Sequence, residues 1–446
     1  MRLLLKFLVF FPIDHVLSSY LPPGVSLPLG EIDLPELFSE STTAKILRTA
    51  LPERFPDNVP STGPTTGLYT FSKISAWTSG FFPGSLYALL ERSVKYPNHS
   101  GITEIDPVDV YSQLFDLSRQ WSDPLHQQAF RTNTHDMGFL ILPALRRDWE
   151  LTGNRTSFDS LITAAHSLAT RFDARVDAVR SWDSLVNKRH NITNKATNFL
   201  VIIDSMCNMD LLYYAGYHTA NQTLIDIATT HAHTVRHSIV REDYSTFHCC
   251  NIDPLTDKII FQETVQGYKD WSTWSRGQAW GILGYAQAYQ WTKEPLFLET
   301  ARGLADYFVK RLTTSNHNHP YVPLWDFDTP TVDDILPPRD TSAGLVAANG
   351  LLLLHQILQG ESPYLDNALR IVSETIDLSM PSDQVVLTVD SGGNIVVPQV
   401  SWESILMNAT INNNEYSPSP SNNTGLVYAD YYFLEFGNRL LEMGFI

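Results

Sequence analysis

Apolar residues recur at spacings of three and four over long stretches of this chain, the period of helices that bury one face. Four such stretches come in pairs joined by short polar turns. Residues 139–149 and 158–172 flank Thr152-Gly153-Asn154, and a helix closing at residues 211–215 precedes a second at 224–235. Residues 280–291 and 297–312 flank Thr292-Lys293-Glu294-Pro295, and residues 351–358 and 364–376 flank Gly360-Glu361-Ser362-Pro363. An alanine marks the same place in each second helix, at Ala165, Ala228, Ala301 and Ala368, spaced by 63, 73 and 67 residues. At that period the chain holds about six hairpins. Further helical stretches at 86–94, 108–121 and 427–441 supply most of the missing members. An open array of hairpins leaves a bare apolar face at each end, whereas a ring buries both. The expected fold is therefore all-α, an (α/α)6 toroid with inner and outer helical layers; an open α-solenoid is the alternative.

The breaks in the pattern matter because a rigid helical ring carries its binding groups on loops at one end of the inner helices. Residues 316–342 form a long Pro- and Asp-rich loop, and residues 384–400 alternate Val and Ile around Ser391-Gly392-Gly393-Asn394, a short β-hairpin. No Gly-, Ser- or Pro-rich linker separates the repeats, so residues 21–446 are expected to form a single catalytic domain. The composition, 43% hydrophobic and 18% charged, is that of a packed globular protein. A formal charge of −17 argues against nucleic acid and anionic membrane as partners, since both need clustered cations. It leaves room for a small anionic ligand, which needs only one or two local donors. The opening, residues 1–20, reads as a signal peptide, with Arg2 ahead of an apolar run; an amphipathic first helix or a misplaced start are the other readings. Sequons at Asn98, Asn154, Asn191, Asn221, Asn408 and Asn422 add to the expectation of secretion. Three cysteines, Cys207, Cys249 and Cys250, cannot build a disulfide framework and lack zinc spacing. Neither a metal nor an organic cofactor is expected.

Candidate chemistry clusters where polar and aromatic residues interrupt the helices. These segments are Trp77-Thr78-Ser79-Gly80-Phe81-Phe82-Pro83-Gly84, Asn133 to Phe139, Ile202 to Asn208, His248, and Gln266-Gly267-Tyr268 through Trp280. Asp204 follows an apolar run, 199–203, whose floor would raise its pKa towards that of a proton donor. A plain helix N-cap is an equally good reading of Asp204, and of Asp136 before Met137-Gly138-Phe139-Leu140. Two carboxylates at equivalent ends of successive inner helices would nevertheless face one cavity. His248, Gln266 and Arg276 could donate to a carboxylate or hydroxyl, although a lone Arg is more often salt-bridged.

The set WTSGFFPG, THDMGF, IIDSMCN, His248, TVQGY and SRGQAW resembles the unsaturated glucuronyl hydrolases, glycoside hydrolase family 88, over residues 77–435. The resemblance implies a glycosidase that takes a 4,5-unsaturated uronic acid from the non-reducing end of lyase-generated oligosaccharides by hydrating the C4=C5 bond. It implies Asp204 as general acid and base and Asp136 as assisting carboxylate. His248, Gln266 and Arg276 would hold the uronate, with Trp77, Trp182 and Trp280 as aromatic walls and Tyr428 as a looser correspondence. The family usually has Trp at the position of Phe82 and Gly at that of Ala429, and the stretch 186–198 is longer than usual. No Lys follows Lys310, so a C-terminal basic site for a sulfated sugar is absent from the sequence. An unsaturated rhamnogalacturonyl hydrolase, a glycosidase acting on saturated sugars, and a non-catalytic helical sugar-binding protein are the alternatives.

Overall fold

The computed structural model describes residues 33–51, 54–391 and 395–446. The stretch read as a signal peptide lies outside the described residues. Asp33–Ile446 is one compact unit. Its helices are α1 (Glu40–Thr49), α2 (Phe81–Lys95), α3 (Pro107–Ser122), α4 (Leu125–Gln128), α5 (Met137–Ile141), α6 (Arg147–Thr152), α7 (Arg155–Ala169), α8 (Ser205–Thr219), α9 (Gln222–Ser238), α10 (Ser275–Thr292), α11 (Pro295–Thr313), α12 (Thr341–Ile357), α13 (Tyr364–Ser379) and α14 (Val427–Glu442). A π-helical turn, Leu142–Arg146, joins α5 to α6 into one rod. Pro143 has no amide hydrogen to continue the α ladder back to Phe139, and the backbone widens there.

The inner layer closes on itself. Helix α2 packs on the α5–α6 rod, α5 on α8, α8 on α10, α10 on α12, α12 on α14, and α14 back on α2. Helices α3, α7, α9, α11 and α13 each follow and cover an inner neighbour, and α1 lies against α2. The ring, not the open array, is thus the architecture. Burial separates the two layers. Every residue of α8 from Ser205 to Gly216, of α10 from Ser275 to Ala286 and of α12 from Thr341 to His355 is buried. Such helices are apolar or small all round, which only a fully enclosed helix tolerates. Outer helices keep one buried stripe, as in α9 with Leu224, Ala228, His231, Ala232 and Val235. The four marker alanines all lie on outer helices at 0% exposure, where a small side chain lets the helix approach its inner partner.

Two features differ from the expected pattern. Helix α2 begins at Phe81, before Pro83 and Gly84, because a proline in the first turn removes an amide hydrogen that has no partner there anyway. The apolar run ahead of Asp204 is a strand: Phe199–Ile202 pairs antiparallel with Cys249–Asp253, which pairs with Lys258–Glu263. The late hairpin is present, with Thr388–Val389 against Ile395–Val396, while its turn, 392–394, lies outside the described residues. Cys207, Cys249 and Cys250 are all buried free thiols.

Candidate active site

The N-terminal ends of the inner helices meet at one face of the ring. Trp77 precedes α2, Asp136 precedes α5, Asp204 precedes α8, Arg276 lies in the first turn of α10, Asp340 precedes α12 and Tyr428 lies in the first turn of α14. Their contacts form a chain. The Arg276 guanidinium pairs with Asp340 and sits 5.6 Å from the Tyr428 ring centre. Tyr428 lies 4.9 Å from Trp77, and Trp77 lies 5.6 Å from Phe139 in α5. Asn208 of α8 accepts the Phe139 amide hydrogen at 3.0 Å and donates to the Asp204 carbonyl at 3.3 Å, tying the two carboxylate-bearing ends together. Each helix start carries partial positive charge, so the face favours an anion although the whole chain is strongly acidic.

Asp204 and Asp136 both occupy N-cap positions, and neither side chain caps its helix. Asp340, Asp106 and Asn154 show what capping looks like here, each accepting from a first-turn amide. Asp204 keeps some solvent contact, yet its Oδ1 is buried and has no hydrogen-bond partner. Burial, and then the nearby Asp136 charge, outweigh Arg276 and push its pKa from 3.8 to about 7. It is therefore a carboxyl that holds its proton near neutrality, as a general acid must. Asp136 is fixed at both oxygens: Thr134 Oγ1 donates to Oδ2 at 2.8 Å, and His135 Nε2 stands 3.3 Å from Oδ1.

The sheet places His248 beside Asp204, because Ile202 pairs with Cys249 and the next amide, that of Ile203, donates to the His248 carbonyl at 3.1 Å. His248 Nδ1 accepts the Val265 amide hydrogen at 3.2 Å. Burial, reinforced by Arg276, lowers its pKa to about 3. The ring is then neutral with its hydrogen on Nε2, a buried donor without a partner. Trp182 packs edge-on against His248 at 5.7 Å, and Trp274 lies 4.6 Å away on another side. Gln266 Oε1 accepts from Arg276 Nη2 at 3.0 Å, so its amide nitrogen is the part left to donate.

Two expected contact residues take other places. The Arg276 guanidinium is committed to the protein: besides Asp340 and Gln266 it donates to the Thr410 and Ile411 carbonyls at 2.6 and 2.7 Å, and the side chain is 2% exposed. It acts on the site by orienting Gln266 and by its field on Asp204. Trp280 is 0% exposed and packs on Phe139 at 4.9 Å and Tyr432 at 5.7 Å. It is the floor beneath the site instead of a wall, since α10 turns that position into the centre of the ring. Sequence reasoning also passed over His135, Trp274, Asn208 and Asp340. His135 alone left a signal, standing beside Asp136 in a polar segment.

Buried polar atoms without partners are few in native proteins and gather where ligands bind. Here Asp204 Oδ1, His248 Nε2, Tyr428 Oη and Trp274 Nε1 are of this kind. A cavity of about 240 Å³ between the start of α1 and residues 380–384 includes none of these residues. Among the described residues no group of His, Cys, Asp and Glu side chains could hold a metal ion.

A closed helical ring with a protonated carboxyl among unsatisfied donors and aromatic rings defines a toroidal glycoside hydrolase. Its relatives narrow the class. The chain is 31% identical over 365 residues to the unsaturated glucuronyl hydrolase of Formosa agariphila, covering 80% of this chain and 78% of the relative. It is 25% identical to the unsaturated chondroitin disaccharide hydrolase of Streptococcus pneumoniae, over 85% and 86% of the two chains. The crystal structure of an unsaturated glucuronyl hydrolase specific for heparin superposes with a TM-score of 0.75 at 29% identity, covering 92% of this chain and 98% of the other. The unsaturated glucuronyl hydrolase of a Bacillus species gives 0.71 at 26%, covering 92% and 96%. No family model matches. This chain belongs to the unsaturated glucuronyl hydrolases, enzymes of the glycosidase class.

Proposed function

We propose that Asp204 serves as both acid and base in hydrating the C4=C5 bond of an unsaturated uronic acid at an oligosaccharide end. The observation that carries this reading is the Asp204 carboxyl itself, neutral near pH 7 and with Oδ1 unbonded beside the neutral donor of His248. A vinyl ether is protonated on carbon, and only a carboxyl that still has its proton can do this. Asp204 gives that proton to C4, leaving positive charge shared by C5 and the ring oxygen. Water adds at C5 and returns a proton to the Asp204 carboxylate. The hemiketal then opens at the bond between C5 and the ring oxygen, and the hemiacetal left at C1 releases the rest of the sugar. His248 Nε2 and the Gln266 amide nitrogen donate to the substrate, Trp77 and Trp182 line its ring, and Asp136 places charge opposite Asp204.

The ultraviolet absorbance of the double bond, followed in heavy water with a panel of lyase-generated disaccharides, tests the proposal. Deuterium is expected on C4 and the absorbance is expected to vanish as sugar is released. Asp204→Asn, still folded, should lose at least about 10³-fold in kcat. Cleavage of saturated uronides at the same rate, or product without deuterium at C4, would overturn the assignment. The panel also separates glucuronyl from rhamnogalacturonyl substrates. Export of the protein, with glycans on its surface, is part of the same proposal and rests on residues 1–20 and the sequons.

A further inference from the structure

His135 has no part in the chemistry above, yet its ring is enclosed against the site at 1% exposure. Nδ1 lies 2.9 Å from the Ser181 carbonyl oxygen. A carbonyl only accepts, so Nδ1 carries a hydrogen, and in a neutral ring Nε2 then bears the lone pair. Nε2 is buried, makes no hydrogen bond to any other group, and stands 3.3 Å from Asp136 Oδ1. Thr134 cannot relieve this contact, because its one hydroxyl hydrogen is directed to Oδ2 while its oxygen accepts the Asp136 amide hydrogen at 3.1 Å. Two lone pairs facing each other in a space without water repel; a hydrogen between them turns the contact into a strong hydrogen bond.

We propose that His135 Nε2 and Asp136 Oδ1 hold one proton between them, which makes His135 a positioning residue that sets the charge facing Asp204. The pair is neutral overall whichever atom carries the proton. Its neighbours agree with sharing and not with a full imidazolium. Burial and Arg171 both oppose positive charge on His135, while Asp136 favours it. Arg131 faces Asp136, and Arg276 and Asp204 stand across the site. His231 and His248 stay neutral beside the ring, their pKa values held at about 3. Loss of the shared proton leaves a full negative charge opposite Asp204, which then holds its own proton more tightly.

This inference deepens the proposed function and rests on it for the role of Asp204. Two variants of the full chain test it. In His135→Asn the amide nitrogen replaces Nδ1 and keeps the bond to Ser181, with nothing at Nε2. In His135→Gln the amide nitrogen replaces Nε2 and gives Asp136 a hydrogen that does not titrate. With an unsaturated disaccharide as substrate, both variants should move the basic limb of kcat/KM to higher pH by at least about half a unit, and the Asp204 carboxyl should titrate correspondingly later in carbon-13 spectra of substrate-free protein. An unshifted limb in folded variants, with or without a lower rate, would reduce His135 to packing and overturn the proposal. Nitrogen-15 spectra of the unaltered enzyme decide the matter even if neither variant folds: an Nε2 resonance typical of a bare lone pair overturns it, and one displaced by a bonded or shared proton supports it. Failure of the unaltered enzyme to consume any unsaturated disaccharide removes the assigned chemistry, while the spectra still report the proton.

Discussion

Asp204 loses water from one carboxyl oxygen and gains no hydrogen bond in exchange, and that imbalance is the source of its chemistry. An acid whose pKa rises from 3.8 unfolded to about 7 folded costs nothing below pH 4, and the cost grows as pH rises towards 7. Above pH 7 the ionised, buried group costs up to about 4 kcal/mol. Asp204→Asn should therefore be more stable than the parent at pH 8, with the gap largely gone at pH 4 to 5. Urea midpoints measured at both pH values check this, and a gap that does not depend on pH would contradict a neutral buried carboxyl. His248 works in the opposite sense, costing stability as pH falls from 6.5 towards 3, and it cancels in this comparison. The same residue that limits stability at alkaline pH supplies the acid, a conflict usual at active sites.

At the scale of elements, the distance between the two carboxylates is set by how closely α5 can approach α8. Gly138 makes that approach possible: a Cβ there would stand 2.8 Å from the Asn208 Cα, which cannot move without moving α8. Gly138→Ala should separate the helix starts, break the Asn208 bonds to Phe139 and Asp204, and cost about 1–3 kcal/mol. Because the shift falls on the line joining Asp136 and Asp204, kcat should drop at least about tenfold while KM moves less. Steady-state kinetics together with thermal melts measure both effects, and a variant with unchanged kcat would show that the spacing is set elsewhere. Strand Phe199–Ile202 does the complementary work, since its pairing with Cys249–Asp253 brings His248 to the end of the strand that leads into Asp204.

At the scale of the molecule, closing the ring turns six separate helix starts into one electropositive face inside a chain of charge −17. The local field, and not the net charge, then decides what binds. The outer surface bears on the export proposal. Asn98 and Asn191 are exposed, whereas Asn154 donates to Asp148 and Ser157, and Asn408 donates to the Leu378 carbonyl and Ser379. If the chain passes through a glycosylating secretory route, peptide mapping should find glycans at Asn98 and Asn191 and little at Asn154 or Asn408. Unmodified Asn98 and Asn191 in protein recovered from the medium would count against it.

Periodicity and the four marker alanines were enough to determine the hairpins, their number and their closure, because apolar spacing records which side of a helix is covered. The polar breaks were enough to single out Asp204, Asp136, His248 and Gln266, because such residues stand out against an apolar helical pattern. Whether a carboxyl at a helix start caps the helix or faces a ligand depends on side-chain direction and on what surrounds it, and only the folded ring decided that neither Asp136 nor Asp204 is a cap. Arg276 and Trp280 carry the same point from the other side. Their places in the sequence are those of contact residues, but their partners, Asp340, Thr410, Ile411 and Tyr432, lie more than sixty positions away. Local sequence holds no trace of contacts made across the ring, so the division between binding residues and the residues that hold them in place belongs to the tertiary structure.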